Sequence, residues 1–204
     1  MKVSLGHLKR KKVFFQPDET LRPTKVRIRQ AIMNTLRHRF CVNFSRSNVL
    51  DAFAGSGALS FEAASLGAPS LTLIEKDPRH AVLLQKTVRQ LGLEERTQLI
   101  VGDVCDSAHL PSRVLQQGAP YDLVFLDPPY FQGLLPLVLE RLLEEHLLSP
   151  LSVVVVECHK SELEDLTSGL TPQWSLRQCR CYGKIAISYL QLEALGKDPG
   201  MEDN

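Results

Sequence analysis

The chain has 204 residues, of which 44% are hydrophobic and 23% are charged, which is the size and composition of one globular domain with an extension. The N-terminus lacks the apolar core of a signal peptide and no apolar run approaches the length of a membrane span, so we expect a soluble, cytoplasmic protein. The five cysteines are an odd number without a Cys-x-x-Cys pair, and the six histidines show no ligand spacing, so neither a disulfide framework nor a metal site is expected.

Positive charge is concentrated at the start of the chain. Residues 1–46 carry 12 Lys and Arg against two acids, a net charge of +10, whereas residues 47–204 carry a net charge of −9. Such asymmetry is typical of a protein that binds nucleic acid or another acidic partner, although a solvated basic tail gives the same pattern. We therefore predict a basic N-terminal arm and helix over residues 1–46, a main domain over 47–194, and a disordered tail over 195–204.

The basic N-terminal part begins with a Lys- and Arg-rich arm over residues 1–20 and continues as an amphipathic helix. Pro23 fixes a turn before this helix. Largely apolar residues then recur at helical spacing, at Ile28, Ala31, Ile32, Thr35 and Leu36. The arginines of the helix are expected largely on its solvent side: Arg27, Arg29, Arg37 and Arg39.

The main domain alternates strand and helix patterns. Strands are predicted at residues 49–53, 71–74, 98–101, 121–126 and 152–156, and helices at residues 58–66, 78–91 and 134–146. The strands are continuous β-branched or apolar runs, which suit a parallel sheet that is buried on both faces. The alternation predicts βαβ units and hence a doubly wound α/β sheet.

The end of the domain departs from this alternation. Residues 174–182 and 185–192 are two β-rich runs joined at Gly183 and Lys184, with no room for a helix. Parallel strands need a long crossover, so this pair must be antiparallel. A mostly parallel sheet that closes with an antiparallel hairpin is the Rossmann-like class I methyltransferase fold, whereas a dinucleotide-binding domain would carry another helix here.

A glycine-rich turn follows the first predicted strand, at Asp51 to Gly57. Gly55 and Gly57 permit a tight turn and close backbone approach to a ligand. The third glycine of a dinucleotide fingerprint is replaced by Ser60. Asp51 would repel a pyrophosphate but suits a ligand with a sulfonium and an amino group. The turn therefore favours S-adenosylmethionine over NAD, with Asp51, Phe53, Gly55 and Gly57 as cofactor-binding candidates.

Acidic residues also follow the next two strands. Glu75 is placed to accept hydrogen bonds from ribose hydroxyls, and Asp77 to cap the helix that starts at Pro78. Asp103 is a candidate acceptor for the adenine amino group, with Val104 donating its backbone N–H to a ring nitrogen. Acids at the ends of three successive strands together indicate a nucleoside site more strongly than a single acid would.

The tetrapeptide Asp127-Pro128-Pro129-Tyr130 follows the fourth strand. The two prolines fix an extended turn, which leaves the Asp127 carboxylate and the Pro128 carbonyl free to accept hydrogen bonds from an NH₂ group. An exocyclic base amine held in this way can aim its lone pair at a methyl group, and Tyr130 can stack on the base. The four residues are our catalytic candidates, for direct transfer without a covalent enzyme intermediate.

Taken in order, these features resemble the RsmD-type 16S ribosomal RNA guanine-N2 methyltransferases of bacteria. The resemblance runs from about residue 5 to residue 192 and includes Arg22-Pro23-Thr24, Arg27-x-Arg29-Gln30, the glycine-rich turn, the acid pair at residues 75 and 77, and the closing hairpin. Two positions depart from the family pattern, since Val26 stands where an Asp is usual and Arg10 where a Gly is usual.

The resemblance implies S-adenosylmethionine-dependent methylation of the N2 of one guanine in 16S ribosomal RNA, or in a 30S assembly intermediate, by a protein that we expect to be monomeric. It also implies that the segment from Arg22 to Arg29 folds over the cofactor, which adds Thr24 to the cofactor candidates, and approaches RNA. The candidate RNA-binding residues are Lys9, Arg10, Lys11, Lys12, Arg22, Arg27 and Arg29.

Three other functions remain open at this point. A DNA adenine-N6 methyltransferase can use the same tetrapeptide, but the short gaps leave no room for the target-recognition region that such enzymes usually carry. A cofactor-binding RNA assembly factor without turnover is a second alternative, which intact Asp127 and Tyr130 disfavour. An NAD-dependent oxidoreductase is disfavoured by Asp51 and Ser60.

Overall fold

The computed structural model describes residues 1–16, 24–106 and 115–193, and within them one seven-stranded sheet lies between helices. The strands are β1 (Asn48–Asp51), β2 (Ser70–Glu75), β3 (Thr97–Val101), β4 (Tyr121–Leu126), β5 (Leu148–His159), β6 (Trp174–Tyr182) and β7 (Ile185–Leu192). The helices are α1 (Val26–His38), α2 (Ala58–Ser65), α3 (Pro78–Leu91), α4 (Leu134–Glu144) and α5 (Leu163–Ser168). Short 3₁₀ helices lie at Phe44–Arg46, Glu94–Arg96 and Lys160–Glu162. The predicted tail, residues 195–204, lies outside the described residues.

The order of the strands in the sheet is β3-β2-β1-β4-β5-β7-β6. The first five strands pair in parallel, and β7 pairs antiparallel with both β5 and β6. The predicted class I fold with its closing hairpin is thereby confirmed. The strand order reverses between β1 and β4, and ligands of open α/β sheets bind at the carboxyl ends of the strands at such a point.

Each central strand contributes side chains to two hydrophobic clusters, one on each face of the sheet. In β4, Leu123 and Phe125 pack into the cluster beneath α1, α2 and α3, whereas Val124 and Leu126 pack into the cluster beneath α4 and α5. Successive residues of a strand point to opposite faces, so a strand buried on both faces is apolar at every position. The predicted continuous apolar runs have this cause.

The strand β5 extends beyond its predicted end at residue 156. Glu157, Cys158 and His159 continue the strand because they pair with Ile187, Ala186 and Ile185 of β7. A polar residue after four valines predicts the end of a strand. β5 continues because it pairs with β7, which lies later in the sequence. The extension places Glu157 inside the strand next to the one that ends before Asp127.

The N-terminal arm packs against the domain through its apolar residues. Val3, Leu8 and Val13 are buried in the same cluster as α1 and α2. Gly6 turns the chain above the C-terminal end of α2, where a Cβ at this position would lie 1.9 Å from the Ser65 carbonyl oxygen. Five basic residues of the arm are exposed on the outside of this docked segment: Lys2, Lys9, Arg10, Lys11 and Lys12.

A buried ion pair, which we call the arm latch, joins the arm to the helices. Glu62 of α2 accepts hydrogen bonds from the backbone N–H groups of Ser4 and Leu5 and from the Ser4 hydroxyl, at 2.7–3.1 Å. Arg29 of α1 donates from Nε to Glu62 Oε1 at 3.2 Å. Its other nitrogens donate to the carbonyls of Thr24 at 2.8 Å and Lys2 at 3.0 Å.

The arm latch corrects one prediction. The helical spacing predicts Arg29 largely on the solvent side, and the resemblance implies that its segment approaches RNA, but Arg29 is only 2% exposed. The carboxylate of Glu62 compensates its charge inside the protein, and this partner on a different helix could not be inferred from the spacing of α1 alone. Arg29 is therefore part of the packing between arm and domain, whereas Arg27 is exposed as predicted.

Candidate active site at the carboxyl edge of the sheet

Three carboxylates meet where the central parallel strands end. β1 ends at Asp51, which pairs in register with Leu73 of β2 and Phe125 of β4. β2 ends at Glu75, and Asp127 follows the last residue of β4. Adjacent strands of a sheet lie about 4.8 Å apart, so side chains at these ends share one crevice.

The glycine-rich turn has the geometry of a ligand-binding loop. Gly57 precedes α2 with a left-handed φ of +70°, and a Cβ there would lie 2.5 Å from the Phe61 ring and 2.8 Å from Leu84. Only glycine fits this position, because both the backbone conformation and the close packing exclude a side chain. Gly55 donates its backbone N–H to Glu75 Oε2 at 2.7 Å, which ties the turn to the end of β2.

Asp51 is a buried carboxylate without a neighbouring cation among the described residues. It is 4% exposed, and its Oδ2 accepts a hydrogen bond from Ser60 at 2.7 Å. Burial raises the pKa of Asp51 to about 7, the charge of Glu75 adds to the increase, and the Ser60 hydroxyl opposes it. A ligand with a positive charge would offset this cost of burial. Ser60 thus supports the carboxylate instead of approaching a pyrophosphate.

The acids of the predicted nucleoside site are held by backbone hydrogen bonds. Glu75 Oε1 accepts from the backbone N–H of Asp77 at 2.8 Å. Asp77 caps α3, as predicted, by accepting from the backbone N–H of Arg79 at 2.8 Å. Asp103 accepts from the backbone N–H of Cys105 at 2.9 Å and stays partly exposed. Since a carboxylate has about four acceptor positions, both Glu75 and Asp103 keep some for a ligand.

The remaining cofactor candidates differ in their exposure. Phe53 is half-buried and packs against the cluster on the α4 side of the sheet. Val104 is buried, and its carbonyl accepts a hydrogen bond from Arg141 at 2.7 Å. Their contacts with a cofactor remain predictions.

Thr24, Asp127, Tyr130 and Glu157 form one cluster, which we call the reaction centre because it contains two of the catalytic candidates. The Thr24 hydroxyl donates to Glu157 Oε2 at 3.0 Å, and the Tyr130 hydroxyl donates to Glu157 Oε1 at 3.1 Å. Burial raises the pKa of Asp127 well above its usual range, the charges of Glu157 and Asp51 add to the increase, and the Thr24 hydroxyl opposes it. Burial also raises the pKa of Glu157, and the hydrogen bonds from the Thr24 and Tyr130 hydroxyls oppose this increase.

Glu157 was missed by the sequence interpretation. A carboxylate directly after a buried valine strand was a usable signal, because the same argument identified Asp127 after β4. Thr24 was predicted as a cofactor contact, and the structure directs its hydroxyl to Glu157.

A cavity of about 320 Å³ opens beside the reaction centre, within the range of about 300–1,000 Å³ that is common for small-molecule sites. Glu157 lines it together with residues of the predicted tetrapeptide, the first residues of α4 and the middle of α5: Pro128, Pro129, Tyr130, Leu134, Leu135, Asp165 and Leu166. Phe131 also lines it and is 68% exposed, and its backbone N–H donates to Glu162 Oε1 at 2.6 Å. Catalytic candidates and a space for a planar group are therefore adjacent.

Several predictions concern residues or features away from this crevice. Arg22 lies outside the described residues. Within the described ranges, no cluster of three or more His, Cys, Asp or Glu is arranged to hold a metal ion. No helix in this part of the chain is both long and apolar enough to cross a membrane.

Comparison with known proteins identifies close matches over most of the chain. Residues 1–191 match a protein-family model described as conserved hypothetical protein 95. The chain is 33% identical over 178 residues to the ribosomal RNA small subunit methyltransferase D of Escherichia coli strain K12, covering 87% of this chain and 82% of that protein. It is 31% identical over 175 residues to the protein of the same name from Haemophilus influenzae, covering 85% and 84%.

Solved structures agree with these sequence matches. A putative methyltransferase from Escherichia coli superposes with a TM-score of 0.74 at 28% identity and covers 95% of this chain and 98% of its own. A hypothetical protein from Thermus thermophilus superposes with a TM-score of 0.71 at 29% identity and covers 94% and 99%.

Proposed function

The chain belongs to the ribosomal RNA small subunit methyltransferase D family, and on this premise we propose that it methylates the exocyclic N2 amine of a guanine in 16S ribosomal RNA. The observation that carries the proposal is the pairing of the partly buried Asp127, held by a Pro-Pro turn, with the cavity lined by Tyr130. That arrangement suits a planar base with an amine at its edge.

We propose S-adenosylmethionine as the methyl donor, bound along the carboxyl ends of β1, β2 and β3. The desolvated carboxylate of Asp51 suits a cationic amino acid group, which a pyrophosphate cofactor lacks. Glu75 would accept hydrogen bonds from the ribose hydroxyls, and Asp103 and Val104 would bind the adenine ring. The bound cofactor would supply an electrophilic methyl group on a sulfonium.

The residues of the reaction centre then act by orientation and electrostatics. The Asp127 carboxylate and the Pro128 carbonyl accept the two N–H bonds of the amine, which turns its lone pair toward the methyl carbon. In the transfer, the N–C bond would form as the S–C bond breaks, and positive charge would pass from sulfur to nitrogen. Asp127 lies beside this developing charge and stabilises it. The surplus proton leaves to Asp127 or to water.

The RNA would be held by the outer face of the docked arm. Lys9, Arg10, Lys11 and Lys12 are exposed on one short segment, and Arg27 is exposed on α1. Lys and Arg contacts with phosphates supply affinity that is independent of base sequence. We propose naked 16S ribosomal RNA or a 30S assembly intermediate as the partner, a monomer as the active form and the cytoplasm as the compartment.

The test is to incubate the protein with labelled S-adenosylmethionine and 16S ribosomal RNA, 30S particles or duplex DNA, and then to identify the methylated nucleoside. We expect N2-methylguanosine from an RNA substrate. Asp127→Ala should lower the rate by about 10³-fold while cofactor affinity changes little. N6-methyladenine in DNA would overturn the proposal, and cofactor binding without any transfer would favour an assembly factor.

A further inference from the structure

Glu157 is a buried carboxylate that faces the candidate base cavity. It is 5% exposed, lines the cavity, and its two oxygens accept hydrogen bonds from the hydroxyls of Thr24 and Tyr130. Within the described residues it forms no ion pair with Lys or Arg. The fold alone does not require such a group, because β5 and β7 pair through their backbones at this position.

The sheet brings Glu157 next to Asp127. Leu126 and Val156 are partners in the parallel register of β4 and β5, so the residue after each of them is Asp127 and Glu157. The charge of Glu157 acts on Asp127, and the Thr24 hydroxyl interacts with both carboxyl groups. Two acceptor groups are therefore side by side: Glu157 lines the cavity, and Asp127 directly precedes Pro128, which also lines it.

This pair matches the hydrogen-bonding edge of guanine. On that edge, guanine has the N2 amine beside a second donor, N1–H, whereas adenine has an amine beside N1, which is an acceptor. Enzymes that act on an extruded base read it through hydrogen bonds to this edge. The hydroxyls of Thr24 and Tyr130 donate to both oxygens of Glu157 and favour its ionised form, against the effect of burial on its pKa. An ionised carboxylate accepts hydrogen bonds and donates none, so it attracts the guanine edge and repels the adenine edge.

We propose that Glu157 is the residue that selects guanine, by accepting the N1–H of the target base while Asp127 accepts from its N2 amine. This inference rests on the proposed function and adds base selectivity to it. Thr24 and Tyr130 each occupy one acceptor position of Glu157, and a carboxylate has about four. The two hydroxyls fix the plane of the carboxylate and leave acceptor positions for the base.

The experiment uses RNA in which the mapped target guanine is replaced by 2-aminopurine. This analogue keeps the 2-amine that is methylated, but its N1 carries a lone pair instead of a hydrogen and it lacks the 6-oxo group, so the change of preference in the Glu157→Gln variant assigns the effect to N1. The wild-type protein should methylate guanine RNA with a kcat/KM about 10- to 100-fold higher than analogue RNA, the selectivity that one charge-assisted hydrogen bond provides. Equal kcat/KM values for the two RNAs would overturn the proposal without any variant.

Glu157→Gln assigns the selectivity to this residue. The Gln amide can turn its NH₂ toward N1 of the analogue, so the preference for guanine should shrink to a few-fold or reverse. The matched control is Glu164→Gln, which makes the same change at an exposed carboxylate of α5 outside the lining of the cavity and should leave the preference as in wild type. A Glu157→Gln protein with wild-type selectivity would overturn the inference.

The two proposals fail in different ways in this experiment. If the wild-type protein binds S-adenosylmethionine but methylates no guanine in ribosomal RNA, the proposed function fails and the inference fails with it. If guanine is methylated but 2-aminopurine is methylated equally well, only the role of Glu157 is lost. Cofactor affinity and a thermal melt of each variant show that its fold is intact.

Discussion

Two regions of the molecule each bury a glutamate, and they differ in the hydrogen-bond donors that surround its carboxylate. In the arm latch, Glu62 is fully buried and receives the Arg29 guanidinium as well as N–H and hydroxyl donors from the arm. In the reaction centre, Glu157 is also buried, but the donors found for it are the hydroxyls of Thr24 and Tyr130. Burying a charge costs free energy unless it is paired and hydrogen-bonded. The difference therefore separates a structural carboxylate from one that is kept available for a ligand.

The two regions are also connected. Arg29 donates to the Thr24 carbonyl at 2.8 Å, and the Thr24 hydroxyl donates to Glu157 at 3.0 Å. The ion pair that docks the arm thus also holds the residue that orients Glu157.

The largest expected effect is on stability and contrasts the two glutamates directly. Glu62→Gln leaves the Arg29 charge buried without its partner, so the free energy of unfolding should fall by about 3–5 kcal/mol. Glu157→Gln removes a desolvated charge that has no cation among the described residues, so stability at neutral pH should be unchanged or higher. Urea denaturation of both variants measures the contrast.

A surface control completes that comparison. Glu140 is exposed on α4, and Glu140→Gln should change the free energy of unfolding by no more than about 0.5 kcal/mol. Equal losses for Glu62→Gln and Glu157→Gln would mean that both carboxylates are structural, and the distinction drawn between the two regions would be wrong.

The next effect concerns Asp51, a third buried carboxylate, and the pH dependence of cofactor affinity. Burial raises the pKa of Asp51 to about 7, so the carboxylate is mostly protonated at pH 6 and mostly ionised at pH 7.5. A cationic cofactor binds the ionised form, so its affinity should increase with pH, by roughly tenfold across this range. Calorimetric titration with S-adenosylmethionine measures it.

Asp51→Asn serves as the control for this titration. The variant has no titrating group at position 51, so its affinity should be weak and nearly independent of pH over the same range. A wild-type affinity that is constant or that decreases from pH 6 to pH 7.5 would argue against a contact between Asp51 and the cofactor's amino group.

A smaller effect distinguishes exposed cations of the arm from the buried one. Log affinity for RNA should fall as log salt concentration rises. Replacing Lys9, Lys11 and Lys12 with Gln should reduce the magnitude of this slope by about 2, because fewer counterions are released. Arg29→Met should destabilise the protein but leave that slope unchanged. A filter-binding series over salt concentration measures both, and a lower slope for Arg29→Met would restore its predicted role in RNA binding.

Features that depend on neighbouring residues could be predicted from the sequence, whereas features that depend on distant partners could not. The placement of Asp51, Glu75 and Asp127 at the carboxyl ends of strands could be predicted because each ends or follows an apolar strand, which is a local signal. Arg29 and Glu157 were misjudged because their environments depend on partners distant in sequence. Glu62 lies 33 residues beyond Arg29, and Glu157 stays in its strand because of the pairing with Ile187 of β7. Burial of charge by a distant partner is a tertiary property.

The smallest effect concerns Arg10, where the family pattern has a glycine. Arg10 has a left-handed φ of +71°, a conformation that costs a non-glycine residue roughly 1–2 kcal/mol. Arg10→Gly removes this cost but adds about 0.5–1 kcal/mol of unfolded-state entropy, so a net stabilisation of about 0.5–1 kcal/mol is expected from thermal and urea unfolding. Arg10→Ala loses the same charge and keeps the strain, so it should not be stabilised. If both variants gain equally, the gain comes from reduced repulsion among the arm's cations and not from relief of backbone strain at position 10.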